Sequence, residues 1–328
     1  KLNLTLDYYW ERRKDILIQR SSLPSMAGFD ASIYANMGEM DNKGVDANLE
    51  YQTRIGNKVG LRLFGNLTYS KNKIVFRDEP AMQYAYQKSE GTRYGEFYGY
   101  IAEGYFQSEE EIKKSPRQMR ELAPGDIKYK DLNDDGVIDA NDQCYLGKSW
   151  FPSWSYGMGF NINYHNFDLA LFFQGVSDVS IMANGGSIDT GNGDWGASGV
   201  GIVPFTGMGL NPSNVITKAL DRWTADNPRA DAWYPRMTAN ATTNDNNYVN
   251  STHWLKDGSY LRLKQASLGY TLENKKLMDK GIEYLYFYLS GQNLLTFSKF
   301  KLWDPELGSN GAKYPLSRMV TLGMRVSF

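Results

Sequence analysis

The feature that most constrains the fold is a period-two alternation of apolar and polar residues, sustained over stretches of roughly ten residues. Leu2, Leu4, Leu6, Tyr8 and Trp10 alternate with Asn3, Thr5, Asp7 and Tyr9. Leu61, Leu63, Gly65, Leu67 and Tyr69 alternate with Arg62, Phe64, Asn66, Thr68 and Ser70. Trp154, Tyr156, Met158, Phe160, Ile162 and Tyr164 do the same, and the last strand puts Val320, Leu322, Met324, Val326 and Phe328 on one face. Such strands have one apolar and one wet side. Soluble sandwiches alternate too, but with strands of about 5–6 residues. Strands of about ten or more residues point to an all-β transmembrane antiparallel β-barrel, with hydrocarbon outside and water inside.

Composition agrees. The 23 Tyr, 15 Phe and 8 Trp suit aromatic girdles at the two membrane interfaces. No run of 18 apolar residues is present, so no transmembrane helix is expected. The net charge of -1 gives no support to a nucleic-acid partner. One cysteine and two histidines exclude a disulfide framework and leave little for a catalytic dyad. Lys1 opens directly in strand-like sequence, so a fragment or processed product is expected.

The pattern predicts nine strands, at about 2–10, 13–20, 43–54, 58–70, 154–164, 166–175, 259–270, 283–294 and 318–328. Short connections fall at 10–13, 56–58 and 165–166, with a medium one at 272–282. Long ones fall at 21–42, 71–153, 176–259 and 296–317. Short and long alternate, as periplasmic turns and outer loops do in bacterial barrels. Nine strands beginning and ending inward would require an odd number of further strands to close. Leu261 and Leu263 are out of phase with Ala266 and Leu268, which predicts a bulge. Around Tyr284, Tyr286 and Tyr288 the periodicity alone does not say which face is wet.

Several runs resemble one family. GDIKYKDLNDDGVID (125–139) and GKSWFP (147–152) are similar to outer-loop signatures of SusC/RagA-type TonB-dependent transporters. SYLRLK (259–264) with LGY (268–270), and LSGQNLLTF (289–297) with WDPE (303–306), resemble blocks near that family's C-terminus. The likeness spans 1–328 in order. It implies the C-terminal portion of a 22-stranded TonB-dependent receptor barrel, with the plug domain, TonB box and N-terminal strands absent from this chain. It implies an outer-membrane nutrient importer for glycans or peptides. The implied partners are a SusD-like surface lipoprotein and, through the missing N-terminal part, the TonB complex.

The sharpest chemical motif is the 131–142 run. Asp131, Asn133, Asp135, the Val137 carbonyl, Asp139 and Asp142 match a calcium-loop spacing, with Asp in place of Glu at the twelfth position. Side-chain oxygens at alternate positions suit a hard cation. The bland alternative is an acidic turn held by its own backbone. Trp195, Trp223, Trp233, Tyr234 and Trp254 sit in the 176–259 connection and are candidates for stacking on cargo or a partner. The alternative for them is loop packing. Arg62, Asn66, Asn161, Asn163, Gln292 and Arg325 should line the barrel interior. His253 near Ser251 and Asp257 is too little for a hydrolase, so no enzyme is expected. Rival readings are an outer-membrane barrel enzyme and a soluble calcium-stabilised β-sandwich that binds glycans.

Overall fold

The computed structural model describes residues 1–22, 26, 33–56, 58–184, 216–238, 246–279, 281–311 and 313–328. In chain order its strands are β1 (Leu2–Gln19), β2 (Tyr34–Ile55), β3 (Val59–Phe76), β4 (Glu96–Gly99), β5 (Ala102–Tyr105), β6 (Ile127–Tyr129) and β7 (Cys144–Ser149). They continue with β8 (Trp154–Tyr164), β9 (Phe167–Ser177), β10 (Ser180–Met182), β11 (Leu255–Asp257), β12 (Tyr260–Leu272), β13 (Tyr284–Ser298) and β14 (Met319–Ser327). Eight of them form one antiparallel sheet, in the order β1-β2-β3-β8-β9-β12-β13-β14. The other six pair as β4 with β7, β5 with β6 and β10 with β11. Among the described residues no helix is long and apolar enough to cross a membrane.

Register turns the alternation of each strand into a continuous face. Leu4, Leu49, Gly65, Met158 and Phe173 follow one another across a single row. Leu169, Leu268, Leu289 and Leu322 form another. These side chains point away from the interior, and Leu322 is 81% exposed. An apolar surface this large has no stable place in water and marks contact with lipid. Aromatic residues border it at both ends. Tyr69 packs on Trp154 at 4.5 Å near the long connections, and Phe167 on Tyr270 at 4.7 Å near the short ones.

The register also settles the tyrosine strand. Leu285, Phe287 and Leu289 pair with Val326, Met324 and Leu322, so they face outward, and Tyr286 and Tyr288 face inward. The Tyr288 ring lies against Gly323, where a Cβ would sit 2.3 Å from it, so a larger residue there would push the ring aside. The expected bulge is present: β12 slips register against both neighbours between Leu263 and Gln265.

The turn expected at 10–13 does not exist. β1 runs unbroken through it, with Tyr8 opposite Val45, Trp10 opposite Lys43 and Arg12 opposite Asp41. The polar run Glu11–Arg12–Arg13 is strand that has left the apolar zone. Register shifts around Ile16, beside Asp15 at a φ of 55°, reverse the phase there and imitate a strand boundary. The sheet therefore has eight strands rather than nine, and its first strand runs toward the long connections. The parity premise for an odd complement falls with it. β2 and β3 also extend beyond the expected limits, to Tyr34 and Phe76. At ~3.3 Å per residue, the 22 residues of β2 span about 70 Å. A hydrocarbon band of about 25 Å leaves a long outer wall.

The described parts of the long connections at 77–153, 178–259 and 299–311 are packed structure rather than loose loops. Parts of 77–153 and 178–259 share one core of Phe97, Tyr100, Tyr105, Ile127, Tyr129, Ile138, Trp223, Tyr234 and Trp254. A smaller core of Ile181, Ala183 and Phe300, with Trp303 against it, joins the 299–311 segment to this cap.

The facing of the wall predicts an asymmetric response to charge. Met158→Arg in the full-length protein should destabilise the barrel in lipid by about 2–4 kcal/mol, while Asn161→Arg should be mild. Unfolding titrations in liposomes measure both, and the reverse ranking would invert the assigned faces.

Candidate functional site

The inner face of the sheet and the cap above it concentrate the polar, charged and aromatic side chains open to a ligand. Arg62, Asn66, Asn161, Asn163, Gln292 and Arg325 all fall on the inner phase of their strands. Arg62 donates to Glu50 at 2.7 Å and lies 5.0 Å over the Phe64 ring. Phe64 stacks with Phe172 at 6.1 Å. Tyr286 donates to Asp168 at 3.1 Å and stacks with Tyr288 at 5.9 Å. The wall therefore offers aromatic faces interleaved with amides and charges, chemistry that suits sugars or peptides equally.

Two charged residues not singled out from the sequence organise the rim. Arg262, 2% exposed in its side chain, projects inward from β12 and donates to both Asp304 oxygens, at 2.6 and 2.8 Å. Glu306 lies 3.5 Å away. Asp304 also accepts from the Glu306 N–H and so starts the short turn of Pro305. The signal in sequence was a lone arginine on the wet phase of an apolar strand, together with an aspartate before proline 42 residues later.

Where cap and wall meet there is a cavity of about 360 Å³, lined by Lys148, Asp178, Ser180, Lys256, Asp257 and Ser259 among others. Asp178 is held by Arg93 at 3.1 Å and by the Ser153 hydroxyl. Lys256 donates to the His253 carbonyl at 2.7 Å and sits 5.2 Å over Trp233. Burial, then the charge of Lys218, lowers its pKa to about 8. His253 lies edge-on to Trp254 at 4.7 Å, with Nε2 3.2 Å from the Trp233 carbonyl. Burial first, and Lys256 second, lower its pKa to about 4.

The tryptophans expected to meet cargo or a partner lie elsewhere. Trp254 and Tyr234 are fully buried and Trp223 is 6% exposed, all inside the cap core. Trp233 is half-buried against the same core. Trp223, Tyr234 and Trp254 present no open face to a partner, while Trp233 keeps part of its surface accessible. Trp195 lies outside the described residues, as does the glycine-rich run at 185–193.

In the 131–142 loop, the carboxylates and Asn133 engage nearby backbone donors. Asp131 accepts from the Asp134 and Gly136 N–H groups, Asn133 from Asp135, Asp135 from Val137 and Asp139 from Asn141. Asp142 accepts from Leu132 and Asp139, closing the loop. Among the described residues no three His, Cys, Asp or Glu side chains converge as a metal site. Each oxygen retains a further lone pair. A cation here would draw on Asn133 and the Val137 carbonyl as well as on carboxylates.

The adjoining run at 125–129 has a clear structural task. The Asp126 carboxylate binds Arg236 at 3.0 and 2.9 Å, the Asn247 amide at 2.8 Å and the Ala123 N–H at 2.8 Å. Gly125, at a φ of 92°, lets Trp223 pack where a Cβ would meet its ring at 2.2 Å. Tyr129 donates to the Asn246 carbonyl at 2.6 Å.

With this architecture in view, the relatives are informative. The chain is 27% identical over its whole length to TonB-dependent receptor P3 of Formosa agariphila, and 28% identical over 98% of its length to receptor P26 of the same organism. It is 22% identical to TonB-dependent receptor SusC of Bacteroides thetaiotaomicron over 98% of its length. Its homologues are TonB-dependent receptors. The chain spans about a third of the length of these relatives, 32%, 32% and 30% respectively, and matches their C-terminal part. No family model matches the chain. Among solved structures, the RagAB peptide transporter superposes with a TM-score of 0.71 at 22% identity, covering all of this chain and 33% of that one. The RagAB peptide importer in its closed-closed state gives 0.72 at 23% identity, again covering all of this chain and 33% of that one. The fold is thus that of the third of the RagAB chain that it covers.

His253 predicts a pH dependence of the cap. Its folded pKa lies below the ordinary 6.5, so the unfolded chain takes up a proton first as pH falls. Cap stability is then present above pH 6.5 and is lost progressively toward pH 4. Amide exchange at Trp254, corrected for intrinsic rate, should accelerate between pH 7 and 5, and His253→Asn should flatten the trend. An unchanged slope in that variant would remove His253 as the cause.

Proposed function

We propose that this chain forms the C-terminal strands and part of the outer cap of a nutrient importer in the bacterial outer membrane. Import would be TonB-dependent, coupled through the N-terminal part of the full-length protein. The cargo would be glycans or peptides, delivered with a SusD-like surface lipoprotein seated on the outer side. The observation that carries this reading is the register-aligned apolar face across eight strands, backed by an inner wall of amides, charges and aromatic rings. The homology to TonB-dependent receptors, SusC among them, supports the transport role, and the RagAB likeness supports the fold. A soluble sandwich would have to bury that face within itself. An enzyme would need an activated nucleophile, and His253 is committed to the Trp233 carbonyl and an aromatic cage.

Deleting the gene for the full-length protein should abolish growth on one class of oligosaccharide or peptide, with loss of accumulation of the labelled cargo. A TonB-box deletion should reproduce the defect. Undiminished accumulation in both strains across glycan and peptide pools would overturn the importer reading. The membrane part has its own test: a full-length protein monodisperse in plain buffer without detergent would sink it.

Calcium in the 131–142 loop belongs to the same proposal, as a structural ion bracing the cap. Donors at alternate positions, with lone pairs left over from their backbone contacts, favour it. Millimolar calcium should raise the melting temperature of the full-length protein. The Asp131→Asn, Asp135→Asn double variant should lose that increment. An equal melting point with calcium and with chelator would leave the loop as a self-capped acidic turn.

A further inference from the structure

The outer face of the wall changes character just beyond the aromatic border. Tyr8, Val45, Tyr69 and Trp154 form the last apolar row. The next row is Trp10, Lys43 and Lys71, and the one beyond it Arg12, Asp41 and Lys73. All six positions keep the outward phase of Leu4, Leu49 and Leu63. Lys43, Lys71 and Lys73 are exposed. Asp41, the carboxylate among them, receives a two-toothed contact from Arg12 at 2.6 and 2.8 Å. Among the described residues, no carboxylate lies within ion-pair distance of the three lysines. Asp41 shares the outward face, its carboxyl held low first by Arg12 and further by the charges of Lys43 and Lys73, whereas Asp46 accepts from the Thr68 hydroxyl on the opposite face.

Lys43, Lys71, Lys73 and Arg12 outnumber Asp41 on this patch, so it keeps a net positive charge that attracts an anion. Opposite residues on paired strands lie about 5 Å apart and next-but-one residues along a strand about 7 Å apart, so lysine stems can bring all three groups to one phosphate. The height of the cluster selects its source. It stands one row above the aromatic border, at the level where ring side chains give way to headgroups. It is also continuous with the lipid-facing surface.

We propose that Lys43, Lys71 and Lys73 bind the phosphate groups of lipid headgroups in the leaflet on the side of the long connections. Each Nζ–H donates to a phosphate oxygen, and the contact fixes the height and tilt of the β2–β3 wall beneath the cap. The inference rests on the membrane reading proposed above.

The test uses the full-length protein in lipid nanodiscs doped with a phosphorylated saccharolipid or with the same lipid stripped of phosphate. Lipid retention is read by native mass spectrometry. The wild type should retain the phosphorylated lipid and not the stripped one, and inorganic phosphate should compete weakly. Each Lys→Gln should weaken retention about fivefold, and the triple variant on the order of a hundredfold, if each lysine near an anionic surface counts equally. Lys→Arg at all three positions should keep it. If the triple Lys→Gln variant does not assemble, Lys71→Gln alone carries the same comparison. Equal retention by wild type and an assembled Lys→Gln variant, or equal retention of the two lipids, overturns the proposal. Failure of the wild type to enter any nanodisc overturns the membrane reading instead.

Discussion

Hydrocarbon offers no partner for a peptide N–H or C=O, and each one left bare costs several kcal/mol. Everything else in this chain follows from meeting that demand with an antiparallel ladder. Six of the eight wall strands are paired on both sides, and only β1 and β14 have a free edge within the sheet. Side chains then need only sort themselves by face, which is why alternation dominates the sequence. Because side chains repeat every two residues, a slip of one would turn Met158 inward and Asn161 outward together. The apolar face thus holds the register, and the register in turn holds the inner wall.

A ladder alone would leave the outer mouth open, and the remaining half of the chain closes it with different physics. The cap is aromatic and buried, and its polar groups are wired to one another. Asp126 ties its own loop to Arg236 and Asn247, and Gln118 bridges Ile127, Tyr129 and Asn246. Such a network is stable only when complete, because each orphaned buried group is expensive. The family-like runs are the nodes of this wiring. GDIKY supplies Asp126 and Gly125, GKSWFP supplies Trp150 against Phe97, and WDPE supplies Asp304.

How much could be read in advance divides along the same line. Most of the wall was legible: the facing of strands other than β13, the bulge in β12 and the short connections near 56–58 and 165–166 follow from local periodicity. The break placed at 10–13 failed because Asp15 shifts the phase within one strand, and periodicity cannot tell a shifted phase from a new strand. The cap was not legible. For Trp223, Trp233, Tyr234 and Trp254 the sequence left cargo contact and loop packing both open, because contacts such as Trp223 with Gly125 depend on how two long connections cross. No local pattern encodes that crossing. Arg262 and Asp304 were each visible as motif residues, but their pairing belongs to the tertiary fold.

That pairing shapes how the mouth can work. Arg262 is a buried charge on the rigid wall, and Asp304 stands on the 299–311 segment that also packs into the cap through Phe300 and Trp303. Separating one partner of a buried pair costs roughly 3–5 kcal/mol, since the charge left behind has no water to turn to. The cap is further tied to the wall where Ser70 donates to the Ser153 carbonyl and Arg93 reaches Asp178. Both joints would have to break for the cap to swing away from β3, β8 and β12. The lower-energy arrangement keeps this part of the mouth fixed, so that access to the interior is governed by whatever faces it.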